Sequence, residues 1–392
     1  MEKVLLGEVL DVQRGASLSG EFYSESGNRI RLTLGNFNYP SGGFKINTSK
    51  KDIYFTGPIN PKFILKKGDL ITPLTEQVAG LLGTTAFIPE DDVYIQSGDI
   101  GLVTTNENRL LKGYAYYLLN SSIIKRQLGA SAQQTKIRHT SPDAIKSCVA
   151  WIPSLDQQLR ITNILGTLDK RLELCRRMTA SLLKQLDELY DYYFGDGNQA
   201  KQNCFGHDFF EILSGYPFDS STYSKGKYKI ITIKSIKMND FDTLAADCVE
   251  SIPLSIDAEC ILSCGDILIS LTGDTGRIAV VDEKDCLLNQ RVGKILCEDK
   301  YKVYSYALLR SPYAQRYISK NSVGTSQKNI SPIILSDIKT YLPDEDELKN
   351  FNSLAVPVFQ KYVAEQKRAK NIIQIKNAIL PLLMNGQVQV MN

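Results

Sequence analysis

The strongest constraint on this chain is an apolar stripe in its middle. Ile161, Leu165, Leu168, Leu172, Cys175, Thr179, Leu182, Leu186, Leu189 and Tyr193 step by four and three alternately, which keeps a narrow seam on one helix face. Pro153 stops what precedes it, and Ser154 with Gln157 three residues on has the form of a capping box. At ~1.5 Å per residue the seam is roughly 50 Å long. A lone helix cannot bury such a seam against itself, so it needs a mate. Adding 190 to each position gives Phe351, Ala355, Val358, Tyr362, Glu365, Ala369, Ile372, Lys376, Ile379 and Leu383, and eight of these ten are apolar. The mate is in the same chain. Pro343 repeats Pro153 and Asp346 repeats Asp156. Two helical segments in one register point to a duplication rather than to one long amphipathic helix on a globular core. Pro357 and Pro381 lie inside the second copy. Each removes an N–H and crowds the preceding turn, which predicts kinks or breaks there.

The stretches between the helices repeat as well. Residues 1–152 read as a mixed domain, with β-type runs at 4–12, 30–34 and 63–65 and a turn at Lys66-Lys67-Gly68-Asp69 before a strand at 70–74. Residues 112–128 suit a helix, and a polar loop follows at 129–141. Residues 197–342 follow the same plan. Ile261-Leu262-Ser263-Cys264-Gly265-Asp266 echoes residues 64–69, and residues 302–311 match 112–121 with six of ten positions identical. Residues 322–331 match 132–141, with Thr325 on Thr135 and Lys328 on Arg138. The order is then globular domain (1–152), long helix (153–196), globular domain (197–342), long helix (343–392).

Composition narrows the function by exclusion. No run of about 18 apolar residues exists, so nothing is expected to span a membrane. The first residues carry acids and no small-residue cleavage site, so no signal peptide is read. Eight scattered cysteines without a framework fit reduced thiols in a cytoplasmic protein. There is no G-x-x-x-x-G-K-[ST] phosphate cradle, and Gly273-Asp-Thr-Gly276 reads better as a turn between strands. The two histidines, His139 and His207, have no nearby nucleophile, and no metal-ligand cluster is visible. No Asn-Pro-Pro-Tyr-like tetrapeptide or F-x-G-x-G loop is present, so methyltransferase machinery is missing. The chain is expected not to catalyse anything alone, and to carry no cofactor.

What remains is binding. A net charge of +3 does not announce a nucleic-acid partner, yet basic residues cluster. Lys125, Arg126, Lys136 and Arg138 surround Gln133, Gln134 and Thr135, while Lys320 and Lys328 accompany Thr325, Ser326, Gln327 and Asn329. Lys and Arg neutralise phosphates, and Gln, Asn and Arg pair bidentately with base edges. Recurrence at the same place in both copies strengthens DNA against a merely solvated face and leaves both readings open. Gln96 and Gln290, at an offset of 194, are further candidates.

These features resemble the specificity subunit of type I restriction–modification enzymes over essentially the whole length. The resemblance rests on Gly324-Thr-Ser-Gln-Lys-Asn-Ile-Ser331 and Ile152-Pro-Ser-Leu-Asp-Gln-Gln-Leu-Arg-Ile161. It also rests on Ile164-Leu165 with Leu168-Asp169 before a heptad helix ending in Phe194, and on Leu382-Leu383-Met-Asn-Gly386-Gln-Val. The departures are Pro357, Pro381 and the degraded second segment Pro343-Asp-Glu-Asp-Glu. The resemblance implies an α+β protein: two similar mixed α/β target recognition domains and two long antiparallel heptad helices, with an internal pseudo-two-fold repeat. Each domain would read half of a split, asymmetric site in double-stranded DNA. The helices would set the spacing and dock modification subunits, two in number, which restriction subunits can join. S-adenosylmethionine would belong to the modification subunit, and ATP and magnesium to a restriction subunit. The competing class is a coiled-coil scaffold whose globular halves bind protein or carbohydrate.

Overall fold

The repeat visible in the residues is a repeat in the backbone. The computed structural model describes every residue except 40–41, 47–51, 77–79, 132–137, 196–201, 326, 389 and 391–392, and of Ser131 and Arg138 only the backbone. It divides into two compact units, Met1–Lys170 with Ile373–Asn392 and Arg171–Ile372. The helices are not a body of their own in this division; each contributes one stretch to each unit.

In unit 1 the strands Leu10–Arg14, Ile100–Thr105, Leu70–Pro73 and Ala86–Phe87 form one antiparallel sheet in that order. In unit 2 Phe210–Ser214, Val292–Cys297, Ile267–Ser270 and Ile278–Val280 form its counterpart. A second four-stranded sheet in each unit contains one parallel pair, Ile30–Arg31 on Tyr94–Ile95 and Tyr228–Ile231 on Cys286–Leu288. The expected run 4–12 is two strands, Glu2–Leu5 and Leu10–Arg14, separated by a 3-10 turn. Residues 63–65 are not a strand: the 3-10 turn Pro61–Phe63 stands there, capped by Asn60, whose side chain accepts from Lys62 N at 3.1 Å.

The two Gly-Asp turns are the same object twice. Asp69 N donates to Lys66 O at 3.0 Å and Asp266 N to Ser263 O at 3.1 Å. Each aspartate carboxylate accepts the opening N–H in return, at 2.8 Å in both. Gly15 and Gly215 are likewise equivalent. A Cβ on them would lie 2.2 Å from Ser97 O and 2.4 Å from Leu288 O, so only glycine lets the chain pass.

The segment 112–128 is two helices, Lys112–Asn120 and Ser122–Ser131, matched by Asp299–Arg310 and Pro312–Asn321. The break falls at Ser121 and Ser311, and the Ser311 hydroxyl caps the next helix by accepting from Ala314 N at 3.2 Å. The alternating Tyr–Leu faces of the first helices, Tyr114, Leu118 and Tyr304, Leu308, are fully buried.

Two long helices complete the chain, Leu155–Phe194 and Glu345–Met384. The breaks expected at Pro357 and Pro381 do not occur, and the second helix is continuous through both. Ala355, Phe359 and Tyr362 around Pro357 and Leu383 and Met384 beside Pro381 are buried, and this packing outweighs the one hydrogen bond that each proline removes. The capping box is half realised. Ser154 Oγ is 3.5 Å from Gln157 N, but the Gln157 amide donates to Val390 O at 3.1 Å instead of closing the box.

Within each unit the helices run antiparallel. In unit 1 Lys376 Nζ meets Asp169 Oδ1 at 2.5 Å, while Gln157, near the start of one helix, meets Val390, just past the end of the other. In unit 2 the rings of Tyr193 and Phe194 pack on Phe351 with centroids 5.9 and 5.1 Å apart, and Cys175 faces Glu365. Ile161, Leu165, Leu172, Leu186, Phe351, Tyr362, Ile372 and Leu383 are buried as the seam requires. Leu168, Leu182, Leu189, Val358 and Ile379 are only partly buried. Toward the end of the first helix the buried set becomes Leu183, Leu186, Tyr190 and Phe194. A straight α-helix drifts by ~20° per heptad against a 3.5 repeat, so a seam of this length moves over by one residue.

The sheets and turns of unit 2 are tied to these helices by ion pairs and hydrogen bonds. Arg310 forks onto Asp187 with Nη2 at 2.8 and 3.0 Å from the two oxygens, and Tyr362 Oη and Gln366 Nε2 both donate to Asn239 O, at 2.9 and 2.6 Å. Lys370 Nζ lies 2.6 Å from Asp282 Oδ1 and 4.8 Å from the Phe241 ring centre. Burial pushes the Asp282 carboxyl up, and the Lys370 ammonium only partly offsets it.

Candidate nucleic-acid interface

The candidate loop of unit 2 is a small closed hairpin. Val323 and Asn329 exchange both backbone hydrogen bonds at 2.8 Å. Gly324 sits at φ +118°, where a Cβ would lie 2.2 Å from Gln327 O, so the turn needs glycine. The hairpin leans on the strand turn 273–276: Gly273 N donates to Lys328 O at 2.7 Å and Thr275 Oγ1 pairs with Ser322 Oγ at 2.7 Å. The Gly273-to-Gly276 segment is thus the turn between Ile267–Ser270 and Ile278–Val280, not a phosphate cradle.

This places Thr325, Gln327, Lys328 and Asn329 on the surface together. The Asn329 amide is partly engaged, donating to Gln327 O at 3.3 Å. Ser326 lies outside the described residues. On the other side of Leu271, whose N–H donates to Arg291 O at 3.1 Å, stand Gln290 and Arg291, both exposed. The Ser214 hydroxyl holds the Gln290 backbone carbonyl at 2.9 Å, leaving its side chain outward. Arg277 pairs with Asp274 in the adjoining turn. Arg277 and Arg291 were not singled out from the sequence. Strand pairing brings them to the loop, and no local spacing announces it.

In unit 1 Gln133, Gln134, Thr135 and Lys136 lie outside the described residues. The backbone of Arg138 and His139 pairs with Glu76 and Thr75. In unit 2 Asn329 opposes Thr272 and Lys328 bonds Gly273. The two loops therefore leave the fold at the same rung. Lys125 does not join a basic patch: its ammonium donates to Thr84 Oγ1 at 3.1 Å and lies 5.6 Å over the Tyr39 ring. Burial lowers its pKa to about 8, with the Glu76 carboxylate pulling the other way.

Gln96 is corrected by the structure. It is 0% exposed, and its amide donates to Gln13 O at 2.7 Å and Ile100 O at 3.0 Å. Such a side chain is a brace between strands and offers no edge to a base. The offset that linked it to Gln290 is also wrong by two. Ala16 N bonds Gln96 O as Tyr216 N bonds Leu288 O, so Leu288 is the counterpart of Gln96 and Gly98 that of Gln290.

Among the described residues there is no group of three or more potential metal ligands, and no helix is long and apolar enough to cross a membrane. A model of the family described as type I restriction modification DNA specificity domain matches residues 1–184 and 202–378. The chain belongs to that family. It is similar to the type I restriction enzyme MjaVIII specificity subunit of Methanocaldococcus jannaschii, 23% identical over 303 residues that cover 70% of this chain and 71% of that one. The MjaIX specificity subunit of the same organism is 21% identical over 307 residues, covering 71% and 69%. In fold it is similar to the type I S subunit of M. genitalium, with a TM-score of 0.62 at 16% identity across 98% of this chain and 96% of that one. The chain is a type I specificity subunit, a non-catalytic protein that recognises DNA sequence with two domains. These matches do not support the scaffold reading.

Proposed function

We propose that each unit reads one half of a two-part DNA target through the loop that follows its short helix pair, 132–138 in unit 1 and 323–329 in unit 2. The observation that carries this is the shared backbone register of the two loops beside different side chains. A fold repeated to the rung, with the loop chemistry changed, suits two readers of unlike half-sequences. Lys328, Arg291 and Arg277 supply cations for phosphates, and Thr325, Ser326, Gln327, Asn329 and Gln290 supply donors and acceptors for base edges. In unit 1 the corresponding set is Gln133, Gln134, Thr135, Lys136 and Arg138. The long helices fix the half-site spacing and carry two modification subunits, which bring S-adenosylmethionine. A restriction subunit, where present, brings ATP and magnesium. The complex works in the cytoplasm, where chromosomal DNA is accessible.

The test is Lys328→Ala in the complex with its modification subunit. If Lys328 meets phosphate, binding weakens alike on all sequences and the slope of log K against log salt falls by about one unit. Relaxed choice at a single base pair makes Lys328 a base reader. If neither changes, Lys328 is not at the interface.

A further inference from the structure

Unit 1 has a cleft that the sequence did not announce. It holds about 370 Å³ and is walled by Arg14, Ser17, Tyr23, Arg31 and Asp99 among others. The Arg14 guanidinium spans it, with Nη1 3.0 Å from Gly98 O and Nη2 3.4 Å from Thr140 O. Thr140 directly follows the strand Arg138–His139. Arg31 lies with Cζ 5.0 Å over the Tyr23 ring, and its Nε is buried without a hydrogen-bond partner. Among the described residues neither arginine meets a carboxylate in an ion pair. Two guanidiniums against one Asp99 leave the cleft cationic.

The counterpart in unit 2 places its charge differently: Leu74 N bonds Asp99 O as Leu271 N bonds Arg291 O, so an arginine stands where Asp99 does. Ser214 holds the carbonyl of Gln290 as Arg14 holds that of Gly98. Arg31 opposes Ile95 in a parallel pair, and Ile230 opposes Leu287 in the equivalent one. Ile230 is 0% exposed. Tyr223 stands where Tyr23 does, after the same 3-10 turn. The tyrosine is kept and both arginines are gone.

We propose that the Arg14–Tyr23–Arg31 cleft seats one backbone phosphate of the DNA beside the half-site read by unit 1, through arginines that unit 2 does not share. A recess receives what protrudes. On a duplex the sugar–phosphate ridge protrudes, whereas base edges lie recessed in the grooves and are reached by side chains that stand out from the protein. The volume has room for a phosphodiester and several waters at ~30 Å³ each. The unpaired Arg31 fork matches phosphate oxygens, and the Tyr23 ring keeps it in place when no DNA is present. This rests on unit 1 reading DNA at its loop, as proposed above.

The experiment uses the complex with its modification subunit and compares Arg31→Gln, Arg31→Lys and Lys328→Ala. Arg31→Gln is expected to lower the salt slope by about one unit. It weakens target and unrelated duplexes by the same factor and leaves the methylated motif unchanged, while Arg31→Lys keeps most of the slope. In the unaltered complex, ethylating one phosphate beside the unit 1 half-site blocks binding; in Arg31→Gln it makes no further difference. An unchanged slope overturns the proposal, and so does a motif relaxed at one base pair. If Arg31→Gln does not fold, absence of any such phosphate in the unaltered complex overturns it equally. A silent Arg31→Gln beside a damaging Lys328→Ala removes the cleft and spares the loops. A silent Lys328→Ala beside a lowered slope in Arg31→Gln does the reverse.

Discussion

Lys125 shows how far a basic residue can be from where composition puts it. Its neighbours in sequence are polar and charged, so it reads as part of a cationic loop. Folding instead lays its stem along Gly83, with a Cβ on that glycine only 3.3 Å away, and its ammonium under Tyr39. The amine has a pKa of about 8 against 10.5 for an ordinary lysine, because burial disfavours its charge. Between those values the unfolded chain binds more protons than the folded one, so this residue makes stability rise with pH across that window and contributes nothing below it. Compared with Lys125→Met, the unaltered chain should therefore gain in thermal midpoint as pH passes from 8 to 10.5, with a constant difference below about pH 7. A difference independent of pH would show that the amine stays charged throughout. Gln96 teaches the same lesson: a polar residue after an apolar run is as often an internal brace as a reader.

At the scale of elements, the long helices were legible because a seam repeats over ten positions, and ten agreements outweigh any single exception. Their detail was less legible. A strict four-and-three count names Leu182 and Leu189, yet the continuous helix turns Leu183 and Tyr190 inward. Leu186 is 0% exposed and common to both counts. Leu186→Ala should cost about 2–5 kcal/mol in denaturant unfolding, and Leu182→Ala clearly less. Equal costs would favour the unshifted seam. The second helix's two charged seam positions are both paired, although one oxygen of Glu365, Oε2, is buried without a hydrogen-bond partner. Lys376 meets Asp169, whose second oxygen takes the Tyr117 hydroxyl at 2.8 Å, and Glu365 accepts from Arg368 at 2.7 Å and faces Cys175. The helix breaks predicted from Pro357 and Pro381 failed because local propensity was weighed without the packing that opposes it.

For the whole molecule, duplication is the organising fact. Residues 197–342 lie wholly inside unit 2, and their backbone repeats unit 1 at the sheets, the Gly-Asp turn, the helix pair and the loop rung. Exchanging 197–342 for the same span of a relative should therefore change one half of the methylated motif in the genome and leave the other half as it was. Changes in both halves would mean that the units do not read independently. The residues alone carried the repeat, the long helices and the absence of catalytic machinery, because each is a property of order along the chain or of residue types present. Which polar groups face outward, where Arg277 and Arg291 join the loop, and that two arginines seventeen residues apart line one cleft were settled only by strand pairing. Pairing brings together residues that no spacing along the chain connects, and burial then decides which of them remain free to bind.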